Sequence, residues 1–134
     1  MPGSGSCACG NITFKYDGEP ALTAVCHCNN CQKWTGSAFS SNVAVPTTAF
    51  AILRGTPKTW SRLGLVSGKE HIQYFCGDCG SALYSQPGGM PGTTLIKAGS
   101  LADNNIAIAA ELFTKDRRSY IQPISNAQQA EKMP

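Results

Sequence analysis

Apolar and polar residues alternate in short runs along most of this chain, and each run ends at turn-forming residues. NITFKY (Asn11–Tyr16) sets Ile12, Phe14 and Tyr16 against polar neighbours, the period-two signature of a half-buried strand. Asp17-Gly18 then marks a turn. ALTAVCHC, SSNVAV, FAILRG, KTWSRL, EHIQYFC, SALYS, TTLIKAG and AELF continue as short strand candidates. Gly, Pro, Asn or Ser separates them at the spacing of an all-β domain. One helical turn is predicted at NNCQKWTG (Asn29–Gly36), with Asn as N-cap and Gly as terminator. LADNNIAIAAEL is a second helix candidate, although its consecutive Asn residues and two isoleucines oppose it. The expectation is a mainly β single domain over residues 1–134, with a core over about 4–122 and a polar tail from Ser125.

A chain of 134 residues can bury a core without a covalent staple. Charged residues make up 14% of it, well under the usual quarter, which argues against a coiled coil or a disordered charged tail. The net charge of +3 is modest, and only Arg117 and Arg118 are adjacent. No basic stripe points to nucleic acid. Arg54, Arg62, Arg117 and Arg118 are candidates to hold a carboxylate, with a solvated face as the default for each. MPGSGSCACG has neither a basic n-region nor an apolar h-region, and no segment approaches the length of a membrane span. A soluble, unprocessed, cytoplasmic protein with no membrane partner is expected.

Seven cysteines change the picture. They fall in three clusters, CAC (Cys7, Cys9), CHCNNC (Cys26, Cys28, Cys31) and CGDC (Cys76, Cys79). An odd number with gaps of one or two residues, and no sign of secretion, favours reduced metal-binding thiols over disulfides. In an extended segment Cys7 and Cys9 would point to one side. CGDCG brings Cys76 and Cys79 together through a tight turn, with Gly77 and Gly80 free to take positive φ. Each pair is half of a four-thiolate tetrahedral site, which zinc would suit; sulfur ligation alone leaves iron open.

Cys26, Cys28 and Cys31 then form a set of three. His27 is the nearest fourth candidate, but extended backbone turns it away from its neighbours, which suggests a histidine hydrogen-bonded behind the site. His71 is a weaker candidate. Three thiolates with an open position follow the logic of a catalytic zinc, whereas completion by another residue or water would make the site structural. Zn²⁺ with three thiolates carries a net charge of −1, so the open position favours soft sulfur over water.

GSCACGNITF, CHCNNCQKWTGSAF and YFCGDCGSAL, in this order and reaching Leu83, resemble the signatures of the glutathione-dependent formaldehyde-activating enzyme (GFA) family, which includes centromere protein V-like members. The resemblance implies several short, twisted antiparallel sheets arranged around zinc, with up to two ions per chain. It implies a structural zinc at Cys7, Cys9, Cys76 and Cys79 and a catalytic zinc at Cys26, Cys28 and Cys31. The implied reaction is that of a carbon-sulfur lyase on a small thiol or thiol-aldehyde adduct, as in the joining of glutathione and formaldehyde to S-hydroxymethylglutathione. Gln32 departs from the pattern, because many relatives carry Arg there; Lys33 is then the cation left beside the site. A non-enzymatic zinc module for a protein or small ligand is the alternative. Trp34 and Trp60 are expected as core or pocket wall, and Phe39, Phe50 and Phe75 as core.

Overall fold

In the computed structural model, residues 3–133 are described. Met1, Pro2 and Pro134, the ends of the expected domain, lie outside them. The strands are β1 (Gly3–Ser6), β2 (Thr13–Tyr16), β3 (Leu22–Cys26), β4 (Ser40–Pro46), β5 (Phe50–Arg54) and β6 (Lys58–Leu63). Then come β7 (Glu70–Phe75), β8 (Ala82–Pro87), β9 (Thr93–Lys97), β10 (Ala110–Leu112) and β11 (Gln128–Gln129). One α-helix, α1 (Asn29–Thr35), and short 3-10 turns complete the described residues. The chain is mainly β, as the alternation predicts. β1-β2-β5 form a three-stranded sheet, and β11-β10-β3-β4-β9-β8-β7-β6 an eight-stranded one. Pairing is antiparallel except for β10, which runs parallel to both β3 and β11.

The central strands of the larger sheet, β3, β4, β8 and β9, are largely buried on both faces for different reasons. Val43, Val45, Tyr84 and Ile96 face the small sheet and pack with Phe14, Tyr16, Leu83 and Leu101 in the main core. Side chains alternate along a strand, so Asn42, Ser85 and Lys97, one position away from Val43, Tyr84 and Ile96, point to the opposite face and line a cavity. A second, smaller cluster of Ala24, Cys26, Cys28, Ala110, Leu112 and Phe113 closes the end of that cavity.

Two sequence expectations change. LADNNIAIAAEL forms no second helix; after a bend it runs without regular structure as far as β10, and the Ala109 N–H donates to the Thr23 carbonyl at 3.0 Å. Tertiary pairing to β3 outweighs a helix that two Asn and two β-branched residues already disfavour. The polar tail returns to the sheet as β11, where Gln128 and Gln129 pair with Ala110 and Glu111. The glycine-serine start is a strand because it has almost no side chains. A Cβ on Gly3 would come within 2.3 Å of the Tyr16 ring, and one on Gly5 within 2.4 Å of Phe14.

The aromatic residues also sort differently from expectation. Phe39, Phe50 and Phe75 are half-buried, with Phe50 packed on the main core. Trp34 and Trp60 stack on each other, with centroids 5.7 Å apart and planes 9° apart, and half of Trp60 is exposed.

Candidate metal centres

Cys7 and Cys9 do not sit in extended backbone. They lie in a turn in which the Gly10 N–H donates to the Cys7 carbonyl at 3.1 Å. The second pair repeats this arrangement, with the Gly80 N–H donating to the Cys76 carbonyl at 2.8 Å. Gly10 and Gly80 have φ of 80° and 78°, where a side chain would strain the backbone. Backbone amides aim at the sulfurs: Ile12 N–H donates to Cys7 Sγ at 3.3 Å, and Asp78 N–H to Cys76 Sγ at 3.4 Å. Asn11 Nδ2 donates to Asp78 Oδ2 at 2.9 Å and clips the two turns together.

The four sulfurs of Cys7, Cys9, Cys76 and Cys79 all lie within 4.8 Å of one another. Cys7 and Cys9 are 3.6 Å apart at sulfur, and Cys9 and Cys76 are 3.8 Å apart. Zinc–sulfur bonds of about 2.3 Å in a tetrahedron require sulfur–sulfur edges of about 3.8 Å, so the donor set fits such an ion. The Ser81 hydroxyl and backbone hold the Cys79 thiol down at about 5, which keeps a thiolate ready for a cation.

Cys26 ends β3, and α1 begins three residues later, at Asn29. The N-cap of α1 is Cys28 rather than an Asn; its sulfur accepts the Cys31 N–H at 3.4 Å. Gly36 terminates the helix in the left-handed region, as expected. Cys26, Cys28 and Cys31 thereby converge within 4.8 Å at sulfur, and no further His, Cys, Asp or Glu joins that group among the described residues. Hydrogen bonds from Cys26 and Cys28, with the attraction of Lys97, hold Cys31 as thiolate down to about 2. Cys26 is pushed up by its hydrogen bonds to Cys28 and Cys31 and by burial.

His27 belongs to the other face of β3, as the alternation predicts. Its Nε2 donates to Glu111 Oε1 at 2.7 Å, with both side chains buried. Gln32 Nε2 donates to the backbone carbonyls of His27 at 2.7 Å and Asp116 at 3.2 Å. Its role here is to tie α1 to the C-terminal segment.

The three-cysteine cluster opens on a cavity of about 370 Å³ on the sheet face opposite the main core. Lys97 and Arg62, not Lys33, are the cations that line it. Lys97 is buried, and its Nζ donates to Asn42 Oδ1 at 2.8 Å. Asn42 Nδ2 donates in turn to Ser40 Oγ at 2.9 Å, and the Ser40 hydroxyl supports the Cys31 thiolate. Burial pushes the Lys97 pKa down, and the three thiols partly restore it. Arg62 and His71 line the same cavity. Burial, with Arg62 and Lys97 nearby, holds His71 down to about 4, so it is neutral near pH 7.

Sequence reasoning did not single out Lys97, Asn42, Ser40, Gln73 or Ser85 for this site. The available signal was the polar residue interrupting each apolar strand on one face, in SSNVAV, EHIQYFC, SALYS and TTLIKAG. Arg54 and Arg118 are exposed as their default reading has it. Arg117 departs from that reading, because it lies 3.3 Å from buried Glu111.

Among the described residues no helix is long and apolar enough to cross a membrane. No curated protein matches the chain. A crystal structure of a Rhodobacter sphaeroides protein is similar in fold, with a TM-score of 0.61 at 17% identity over 75% of this chain and 88% of that one. Residues 2–116, which carry both cysteine groups, match the family model of the glutathione-dependent formaldehyde-activating enzymes, and the chain belongs to that family.

Proposed function

We propose that this chain is a zinc-dependent carbon-sulfur lyase acting on a small thiol or thiol-aldehyde adduct, of the type that joins glutathione and formaldehyde. The observation that carries the reading is the three-thiol cluster opening into a cavity beside a buried lysine. Cys26, Cys28 and Cys31 would hold one zinc, and Cys7, Cys9, Cys76 and Cys79 a second, structural one. When bound at the open site, zinc supplies a Lewis acid and a position that favours sulfur.

The chain's own residues do the rest. A zinc ion with three thiolates carries −1, and the buried Lys97 ammonium brings the site to neutrality, so an incoming thiolate meets no net repulsion. Asn42 fixes the ammonium by its 2.8 Å hydrogen bond. Apolar walls at Leu22, Leu95, Leu112 and Phe113 limit water around the reacting pair.

Ionising a thiol of pKa about 8.5 completely gains only about 30-fold at pH 7. Coordination lowers nucleophilicity as well. The larger gain comes from holding thiol and aldehyde together within the cavity.

Exchange NMR on formaldehyde, glutathione and their adduct tests the reading. Exchange should quicken with protein present and return to the uncatalysed rate in Cys31→Ser. Equal rates with and without protein would remove the glutathione-formaldehyde reaction.

A further inference from the structure

Arg62 breaks the pattern of its own strand. β6 is the edge of the large sheet, and five of its six residues are exposed, whereas Arg62 is half-buried. Arg62 stands directly opposite His71 in the β6–β7 ladder, so the two side chains share one face of the sheet. That face borders the cavity, which Arg62 lines together with His71, Lys97 and the three cysteines. Glu70, the next residue along β7, is opposite Leu63 and points to the other face.

The charges of the cavity do not balance without a ligand. No Asp or Glu lines it. Lys97 is already committed: its ammonium donates to Asn42 Oδ1, and its charge offsets the −1 of zinc with three thiolates. His71, held down to about 4, is neutral near pH 7. Arg62 Nη1 donates to the Leu63 carbonyl at 3.3 Å, and among the described residues its guanidinium has no carboxylate partner. One positive charge is therefore left over, in a chamber whose walls at Leu65, Val66 and Met90 are apolar. A guanidinium partly withdrawn from water is matched best by a carboxylate, which it grips through two parallel N–H···O bonds.

We propose that Arg62 is a specificity-determining residue that binds a carboxylate on the tail of the thiol substrate. The proposal rests on the thiol reading of the cysteine site. The sulfur goes to the open metal position beside β3, and Arg62 stands on β6 at the other side of the chamber, so the tail is the part that reaches the guanidinium. A neutral tail would leave the charge of Arg62 unmatched, and an ammonium would be repelled by it.

The test uses cobalt(II)-substituted protein, whose thiolate-to-metal absorption reports thiol binding without turnover. 3-Mercaptopropionate and 6-mercaptohexanoate are each compared with the corresponding primary amide, which keeps the sulfur and the chain length and removes the charge. At least one carboxylate should bind about tenfold more tightly than its amide in the parent protein, the scale of one charge-assisted pair. In Arg62→Met that preference should vanish, with amide binding and cobalt stoichiometry unchanged; Arg62→Gln serves the same comparison if the first variant does not fold. Arg62→Lys should keep part of the preference, because it retains the charge and loses the fork. No carboxylate preference in either pair, or a preference that survives in Arg62→Met, overturns the assignment and leaves the thiol reading standing. An equal loss for carboxylates and amides in the variant also overturns it, because Arg62 would then act on the sulfur. No spectral response to any of the thiols overturns both readings.

Discussion

Glu111 accepts hydrogen bonds from segments far apart in the chain: Oε1 from His27 Nε2 at 2.7 Å, and Oε2 from the Ile124 N–H at 2.7 Å. Gln129 Nε2 donates to the same Oε2 at 2.6 Å, and Arg117 lies 3.3 Å away. This buried carboxylate therefore joins the backbone between Cys26 and Cys28 to the tail strand β11. Glu111→Ala should cost about 3 to 5 kcal/mol, the scale of breaking a buried ion pair by removing one partner. Urea unfolding measures the loss. Hydrogen exchange should also quicken over residues 124–132 in the variant, where β11 loses its anchor.

The same residue sets an acid limit. Burial raises the Glu111 carboxyl, but the hydrogen bonds from Gln129, Ile124 and His27 outweigh it and hold the group down at about 2, from an ordinary 4.5. A folded pKa below the unfolded one stabilises the fold above the unfolded value. The contribution is complete above about pH 4.5 and disappears as the pH falls through about 2. Urea midpoints between these values should fall more steeply for the parent protein than for Glu111→Gln. Parallel curves would contradict the assignment.

The Trp34–Trp60 stack links α1, which carries Cys31, to the outermost strand of the large sheet. Trp60→Ala should lower stability by about 0.5 to 1.5 kcal/mol beyond lost area. The coupled indole signal in circular dichroism should disappear with it. An unchanged spectrum would mean that the rings do not stack in solution.

The two cysteine groups should respond differently to mutation. Cys76 is buried in the main core with Cys7, whereas Cys26 and Cys28 belong to the smaller cluster at the cavity end. A structural zinc is worth on the order of 10 kcal/mol, comparable to the net stability of a domain. Cys76→Ser should therefore give a protein that loses its near-ultraviolet circular dichroism. Cys31→Ser should keep the fold and lose one of two zinc ions by elemental analysis. A folded Cys76→Ser protein with one zinc would contradict this division.

Much of this organisation is legible in local spacing. Alternation in NITFKY places Phe14 and Tyr16 in the core, and the same rule sends His27 to the face opposite Cys26 and Cys28. The cysteine pairs are legible as pairs, although the turn at Cys7–Cys9 comes from hydrogen bonding that spacing does not encode. Long-range partners are what local patterns miss. Lys97 is buried because Asn42, 55 positions earlier, receives its ammonium. Gly3 and Gly5 form a strand because Tyr16 and Phe14 lie over them. Glu111 looks like an ordinary surface acid in AELF until β3 and the tail strand flank it.

Lys97 gives the sharpest test of the open site. Its ammonium is the end of a chain of hydrogen bonds running through Asn42 to Ser40, whose hydroxyl supports the Cys31 thiolate. Two effects follow if it is removed: the three thiolates lose a nearby positive charge, and Ser40 loses its fixed orientation. Lys97→Met keeps most of the volume in the cavity wall, so the fold should survive. Metal affinity at the three-cysteine site should fall about 10- to 100-fold, as for other residues that support metal ligands. Competition with a chromophoric chelator measures this site against the four-cysteine site in one protein. The four-cysteine affinity should be unchanged, because the Cys7 and Cys76 turns make no hydrogen bond to Lys97. An equal fall at both sites would point to general destabilisation instead, and no fall at either would remove Lys97 from the charge balance of the open site.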